Sequence, residues 1–261
     1  MPGRLRLVGI LALLFPAAPA QAQSDKDEFH WQRALAAGKT IEIVGVNGAI
    51  EAEGSPGREV EVSAVKKGRR SDPATVTFNV VEHPDGVTIC AVYPSDREPN
   101  ECRPGGKGRM NTRDNDVDVA WTVRVPQGVL FSGRTVNGAI SARRLTALAE
   151  ARTVNGSITI ETTSWATAST VNGSIDAWLG KAEWSGETRF STVNGGITVY
   201  LPGSASTRVD ASNVNGSLTT DFPLTIQGKW GPRRLSGTIG EGGRSLSLST
   251  VNGSLELRRL Q

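Results

Sequence analysis

Apolar and polar residues alternate with a period of two along much of this chain. That period puts successive side chains on opposite faces of an extended backbone, so it predicts β-strands with one wet face. Ile41 and Ile43 alternate with Thr40 and Glu42, and Val60, Val62 and Ala64 with Glu59, Glu61 and Ser63. Val76, Phe78 and Val80 alternate with Thr75, Thr77 and Asn79. Val87, Ile89 and Ala91 face away from Thr88 and Cys90, and Pro84-Asp85-Gly86 marks the turn before them. Val117, Val119, Trp121, Val123 and Val125 form one more strand, which Pro126-Gln127-Gly128 ends. Residues 23–38 are polar, and the spacing of Phe29 and Trp31 reads as a strand rather than a short helix. Residues 94–115 are a long insert rich in proline, glycine and charge, of the length that serves function or moves.

A second pattern overlies the first. Val-Asn-Gly-(Ala/Ser/Gly) followed by Ile or Leu begins at Val46, Val136, Val154, Val171, Val193, Val214 and Val251. Thr135, Thr153, Thr170, Thr192 and Thr250 precede five of the copies. After the first copy, the dipeptides are Asn137-Gly138, Asn155-Gly156, Asn172-Gly173, Asn194-Gly195, Asn215-Gly216 and Asn252-Gly253. The asparagines step by 18, 17, 22, 21 and 37 residues, and Ser236-Gly237-Thr238-Ile239 reads as a degenerate copy inside the last, double step. Asn-Gly tolerates positive φ and predicts a sharp corner, with Val and Ile or Leu pointing inward on either side of it.

Such repeats fit hairpin turns of a meander or corners of a β-solenoid. A hairpin needs only some turn-competent pair, whereas here residue identity is nearly constant, as expected when each residue stacks on its own copy. The fold expected is therefore all-β, a β-solenoid of short coils with an N-terminal antiparallel β region, its asparagines hydrogen-bonded in a ladder. At a strand spacing of ~4.8 Å, seven coils span ~34 Å. Segments 164–168, 179–186 and 224–234 are expected as variable loops that carry binding, with Trp165, Trp178, Trp184 and Trp230 in or beside them. Arg258 and Arg259 are expected to guard one open end of the stack, and the alternating N-terminal strands to cap the other.

The first residues read as a leader. Arg4 and Arg6 precede an apolar core at residues 8–15, and Ala20-Gln21-Ala22 fits a cleavage site, so residues 1–22 are expected to be a signal peptide. No later segment is apolar enough to cross a membrane as a helix, and the mature chain is expected to carry no transmembrane segment. Removing two arginines lowers the formal charge from +3 to +1, which argues against nucleic acid as a partner. Lys66-Lys67-Gly68-Arg69-Arg70 then reads as a solvated hairpin tip. In an exported chain Cys90 and Cys102 are expected to pair, free thiols being the alternative, and the bridge is worth on the order of 3 kcal/mol. The expected organisation is an N-terminal alternating region over 23–131, holding the 94–115 insert, followed by solenoid repeats over 132–261.

Taken together, Gly38-Lys-Thr-Ile-Glu-Ile-x-x-Val-Asn-Gly-Ala-Ile, the Ile89-to-Pro94 strand with Cys102, Val123-Arg-Val-Pro126, the serial Thr-Val-Asn-Gly-Ser-Ile units and the closing segment 240–253 resemble a bacterial putative-adhesin family of exported β-strand-repeat proteins, a domain of unknown function. The resemblance covers nearly all of the mature chain. It implies a stack of short strands and a role in adhesion or envelope association, and it carries no catalytic residues to transfer.

Enzyme chemistry finds little support. His30 and His83 lack neighbours suggesting a triad, and two histidines with two paired cysteines fall short of a zinc site. Asp114, Asp116 and Asp118 lack the glycine-aspartate spacing of a calcium repeat. Gly105-Gly106-Lys107-Gly108 lacks the Ser or Thr of a phosphate loop. Acids are sparse in the repeats: Glu150, Glu161, Asp176, Glu183, Glu187, Asp210, Asp221, Glu241 and Glu256. The expectation is a non-catalytic, cofactor-free and metal-free envelope protein, periplasmic or at the cell surface, that binds an envelope or surface protein or glycan. The alternatives are a polysaccharide-acting enzyme on the same fold and an accessory protein in envelope-stress signalling. Two acids brought together in a groove would favour the enzyme; a flat Ser/Thr/Asn face would favour binding.

Overall fold

A computed structural model describes residues 21–24, 27–96, 98–112, 114–180, 188–227 and 233–260. The expected signal peptide, apart from its last two residues, lies outside them, as do Glu183, Trp184, Glu187 and Trp230. Eight strands precede the serial repeats: β1 (Gln21–Ser24), β2 (Glu28–Ala34), β3 (Thr40–Val44), β4 (Ile50–Ser55), β5 (Glu59–Lys67), β6 (Thr77–His83), β7 (Gly86–Val92) and β8 (Asp118–Pro126). The next eight are β9 (Leu130–Arg134), β10 (Ile140–Leu145), β11 (Ala149–Arg152), β12 (Ile158–Thr162), β13 (Ala166–Ser169), β14 (Ile175–Leu179), β15 (Thr188–Ser191) and β16 (Ile197–Leu201). The last are β17 (Thr207–Asn215), β18 (Leu218–Thr220), β19 (Thr225–Gln227), β20 (Arg233–Ile239), β21 (Ser245–Asn252) and β22 (Leu255–Arg259).

The strands form two sheets, and each coil gives one strand to each. The chain runs up one sheet, turns at Val-Asn-Gly and returns in the other. The coils β3–β4, β9–β10, β11–β12, β13–β14 and β15–β16 stack in parallel with matched register, as in Ile50, Ile140, Ile158, Ile175 and Ile197. The fold is thus an all-β solenoid. Its first coil is β3–β4, which carries the copy at Val46, so the stack runs on across residue 131.

The order of the last coils differs from the order of the sequence. β21–β22 inserts between β15–β16 and β17–β18, with Leu255 pairing Ile197 on one side and Leu218 on the other. The expected degenerate copy at Ser236–Ile239 is not a coil. It lies in β20, which runs antiparallel to β17 with Gly237 opposite Val209. The 37-residue step exists because the chain passes outward through β17 to β20 before returning to fill the inner slot. Arg258 and Arg259 therefore sit in the penultimate coil rather than at an open end. Arg258 binds Asp221 and Glu256 there, at 3.1 and 2.8 Å.

The interior is a set of columns. Ile50, Ile140, Ile158, Ile175, Ile197, Leu255 and Leu218 are all buried, each worth about 1.5–3 kcal/mol relative to exposure. Small residues sit beside large ones in the facing sheet. A Cβ on Gly133 would lie 3.0 Å from the Phe131 ring, so that ring fills the space the glycine leaves.

At the N-terminal end β2, β5 and β8 pair antiparallel, and β8 joins the stack through β4. β7 lies parallel to β3, and β6 folds back on β7. Phe29 stacks on Phe78 at 4.5 Å, and Phe78 meets Trp121 edge-on at 5.3 Å, which joins the two sheets at this end. Cys90 and Cys102 form a disulfide that fastens the insert to β7. The Asn100 amide donates to the carbonyls of Tyr93 and Asn111, so the loop is also clamped from within.

Candidate binding surface

The corners show why four residue types recur. Seven asparagines form an unbroken ladder. Asn137 Nδ2 donates to Asn47 Oδ1, Asn155 to Asn137, Asn172 to Asn155, Asn194 to Asn172, Asn252 to Asn194 and Asn215 to Asn252, all at 2.8–2.9 Å. The glycines answer to close approach, and Gly48, Gly173, Gly216 and Gly253 also adopt the positive φ expected of the corner. A Cβ on Gly138, Gly156, Gly173, Gly195, Gly216 or Gly253 would lie 2.0–2.1 Å from the carbonyl oxygen of the neighbouring coil's glycine. Among the described residues, only Asp114 and Arg144 are non-glycines with positive φ, so no asparagine there adopts the conformation expected of it.

The threonines are buried and satisfy the same carbonyls. Thr153, Thr170, Thr192 and Thr250 Oγ1 donate to the glycine oxygen of the adjacent coil at 2.9 Å, and Thr135 to Gly48 O at 3.2 Å. Asn213 stands where the copy at Val214 lacks threonine, and its Nδ2 reaches Gly253 O at 3.3 Å. With threonine inside, alternation turns the next residue out. Val154, Val171, Val193, Val214 and Val251 are 38–44% exposed, contrary to the inward packing expected of them; only Val46 is buried.

The outer faces are polar. On the sheet holding β13, β15, β21 and β17, Ser169, Ser191, Ser249 and Ser212 stand in one row, bounded by Arg152 and Arg234. On the other sheet Trp178 and Tyr200 stack with centroids 4.8 Å apart. Trp178 lies on strand β14 beside the 179–186 segment, and Trp165 precedes β13, partly buried against the core. Of the expected 164–168 loop, residues 166–168 are strand, and parts of 224–234 belong to β19 and β20.

Beneath the insert lies a cleft of about 290 Å³. Glu42, only 4% exposed, accepts hydrogen bonds from Thr88 Oγ1 at 2.8 Å, Gly105 N at 2.8 Å and Arg134 Nε at 2.9 Å. Arg134 also reaches Glu150 at 3.7 Å. His83 Nε2 lies 3.2 Å from Thr88 Oγ1, so the turn histidine does face other chemistry. Gly105, first of the glycine run, holds a carboxylate rather than a phosphate. The signal for this site lay in the repeat alignment: Glu42, Ser132 and Glu150 each stand five residues before their asparagine.

The other candidates are held apart. His30 is exposed on β2 near Glu28. Asp116 is held well below the usual carboxylate range by the backbone N–H of Ser71 at 2.9 Å, with Arg70 adding to it. Burial pushes the Tyr93 phenol up to about 12, and its hydroxyl donates to Val117 O at 2.8 Å. Among the described residues no group of three or more His, Cys, Asp or Glu is placed to hold a metal ion, and no helix is long and apolar enough to cross a membrane.

No curated protein matches the chain. Among solved structures it is similar to a putative cell adhesion protein from Clostridium sporogenes ATCC 15579, at 11% identity and a TM-score of 0.48, over 92% of this chain and all of the other. It is also similar to a putative adhesin from Bacteroides fragilis NCTC 9343, at 10% identity and a TM-score of 0.32, over 90% and 98% of the two chains. A third is a putative lipid binding protein from Parabacteroides distasonis ATCC 8503, at 12% identity and a TM-score of 0.26, over 90% and 97%. Residues 136–258 match the family described as Toastrack DUF4097, a domain of unknown function.

Proposed function

We propose that this chain is a non-catalytic exported cell-envelope protein, an adhesin-like scaffold. Its rigid stack displays faces and loops, in the periplasm or at the cell surface, to an envelope or surface protein or glycan. The observation that carries this reading is the flat hydroxyl row of Ser169, Ser191, Ser249 and Ser212. Short side chains on a sheet offer area and hydrogen bonds but no enclosed reaction site. The test is adsorption of the purified chain to envelope fractions and to arrays of envelope glycans, lipids and proteins. Saturable adsorption without product supports it; failure to adsorb anywhere sinks it.

One observation favours a second reading, a polysaccharide-acting enzyme. Stacking brings Glu42 and Glu150 to one cleft, and glycoside hydrolysis uses two carboxylates. Against it, Arg134 lies between them and contacts both, while the Glu42 carboxylate is already taken up by three hydrogen bonds. Release of reducing sugar that Glu150→Gln abolishes would reverse the ranking.

A further inference from the structure

The cleft beneath the insert holds groups that its own ion pairs do not occupy. Ser132 lines it between Glu42 and Glu150, as the register partner of both. The residue is only 6% exposed, and its hydroxyl hydrogen-bonds to no described residue. Its oxygen remains open to the cleft, where a ligand can supply the partner that the protein does not. Glu150 stands above it, about one third exposed, with only a 3.7 Å contact to Arg134. Leu130 and Leu148 supply an apolar wall, and the disulfide-fastened turn at Pro104–Gly106 forms the roof.

We infer that this cleft binds a single sugar ring, neutral or amine-bearing, as the terminal residue of a glycan. The inference rests on the binding reading above and names its ligand class. A pyranose has an apolar C–H face to lay on the leucines and hydroxyls to donate to Glu150 and share with Ser132. The volume suits one ring rather than a chain. Charge selects among sugars: Glu42 and Arg134 offset each other, leaving Asp85 and Glu150 against Lys107. That balance attracts an amine and repels a carboxylate.

The test is calorimetric titration of the full chain with glucosamine, glucose and glucuronate. Glucosamine is expected to saturate, glucose to bind more weakly and glucuronate not to bind. Glu150→Gln and Ser132→Val are each expected to weaken glucosamine at least tenfold with the unfolding midpoint retained. Absence of saturable binding by all three sugars, preference for glucuronate, or equal affinity in both variants overturns the inference. Adsorption to envelope fractions is measured in parallel. If wild type and variants adsorb alike while no sugar binds, the cleft assignment falls and the scaffold reading stands; if nothing adsorbs, both fall.

Discussion

Asn252 donates its side-chain amide to Asn194 at 2.9 Å across 58 residues of sequence, although Asn215 stands between them in the chain. In the stack the order is reversed: Asn215 lies beyond Asn252 and donates to it. Every coil carries the same corner, so any coil fits any slot. The column is continuous even where the chain is not.

That column makes a first prediction. Asn172→Ala removes the bonds to Asn155 and Asn194 at an exposed position, and stability should fall by about 1 kcal/mol. Asn172→Asp should cost more at neutral pH, because a carboxylate cannot donate to Asn155 Oδ1. Part of that extra cost should vanish at pH 3, where the protonated acid can donate. Urea unfolding of the variants against wild type at each pH reads both effects.

The glycine column should tolerate no side chain. Gly156→Ala puts a methyl 2.1 Å from Gly138 O, and neighbouring coils must separate, at a cost of about 3 kcal/mol or more. Gly203→Ala, whose Cβ would meet the Arg259 side chain at an ordinary 3.5 Å, should be close to neutral. Thermal unfolding of the two variants side by side checks the contrast.

Threonine serves the stack through its hydroxyl. Thr170→Val keeps the shape and leaves Gly156 O without its 2.9 Å side-chain donor, for a loss of about 1–2 kcal/mol. Thr170→Ser should retain most of the stability. Val171→Thr, one residue on and facing solvent, should change stability by less than about 0.5 kcal/mol.

The disulfide should act on the insert and on overall stability together. Cys102→Ser opens a 12-residue link and should lower stability by about 3 kcal/mol in the chain-entropy account. Hydrogen exchange should rise first at Gly105, whose N–H is otherwise held by Glu42. Unchanged exchange there would show that Glu42 alone secures the roof.

Acid should act through Asp116. Its folded pKa is depressed, chiefly by the Ser71 backbone N–H, so its contribution is complete above the unfolded value of about 4. As pH falls below that value the unfolded chain takes up the proton first, and the contribution is lost toward the lower folded pKa. The stability difference between wild type and Asp116→Asn should therefore be full at pH 6 and shrink steadily as pH falls below about 4.

The repeats made much of the fold legible. Constant Asn and Gly at each corner, with Thr at five of the seven, meant stacking of like on like, and the alternation at Ile41–Ile43 and Val117–Val125 gave strands where strands are found. The reasons behind single residues were less visible. Glycine was read as a conformational need, which holds at Gly48, Gly173, Gly216 and Gly253, and it is a contact need at every corner. Valine was read as core, yet the buried threonine before it turns it outward. Glu42 looked like any solvent-facing acid of an alternating strand, because its partners Arg134 and Gly105 lie 92 and 63 residues away.

The chain by itself determined its period, its corners and which side chains must lie over their own copies, because those demands act between identical neighbours and are written into each unit. Only the tertiary structure decided which coil neighbours which. It placed the last unit inside the one before it and drew Glu42, Ser132, Arg134 and Glu150 around one cleft. When every slot accepts the same corner, local sequence cannot rank the slots. The choice falls to the outer strands: β20 covers β17 antiparallel, β19 lies on β20, and the inner position is left for β21 and β22.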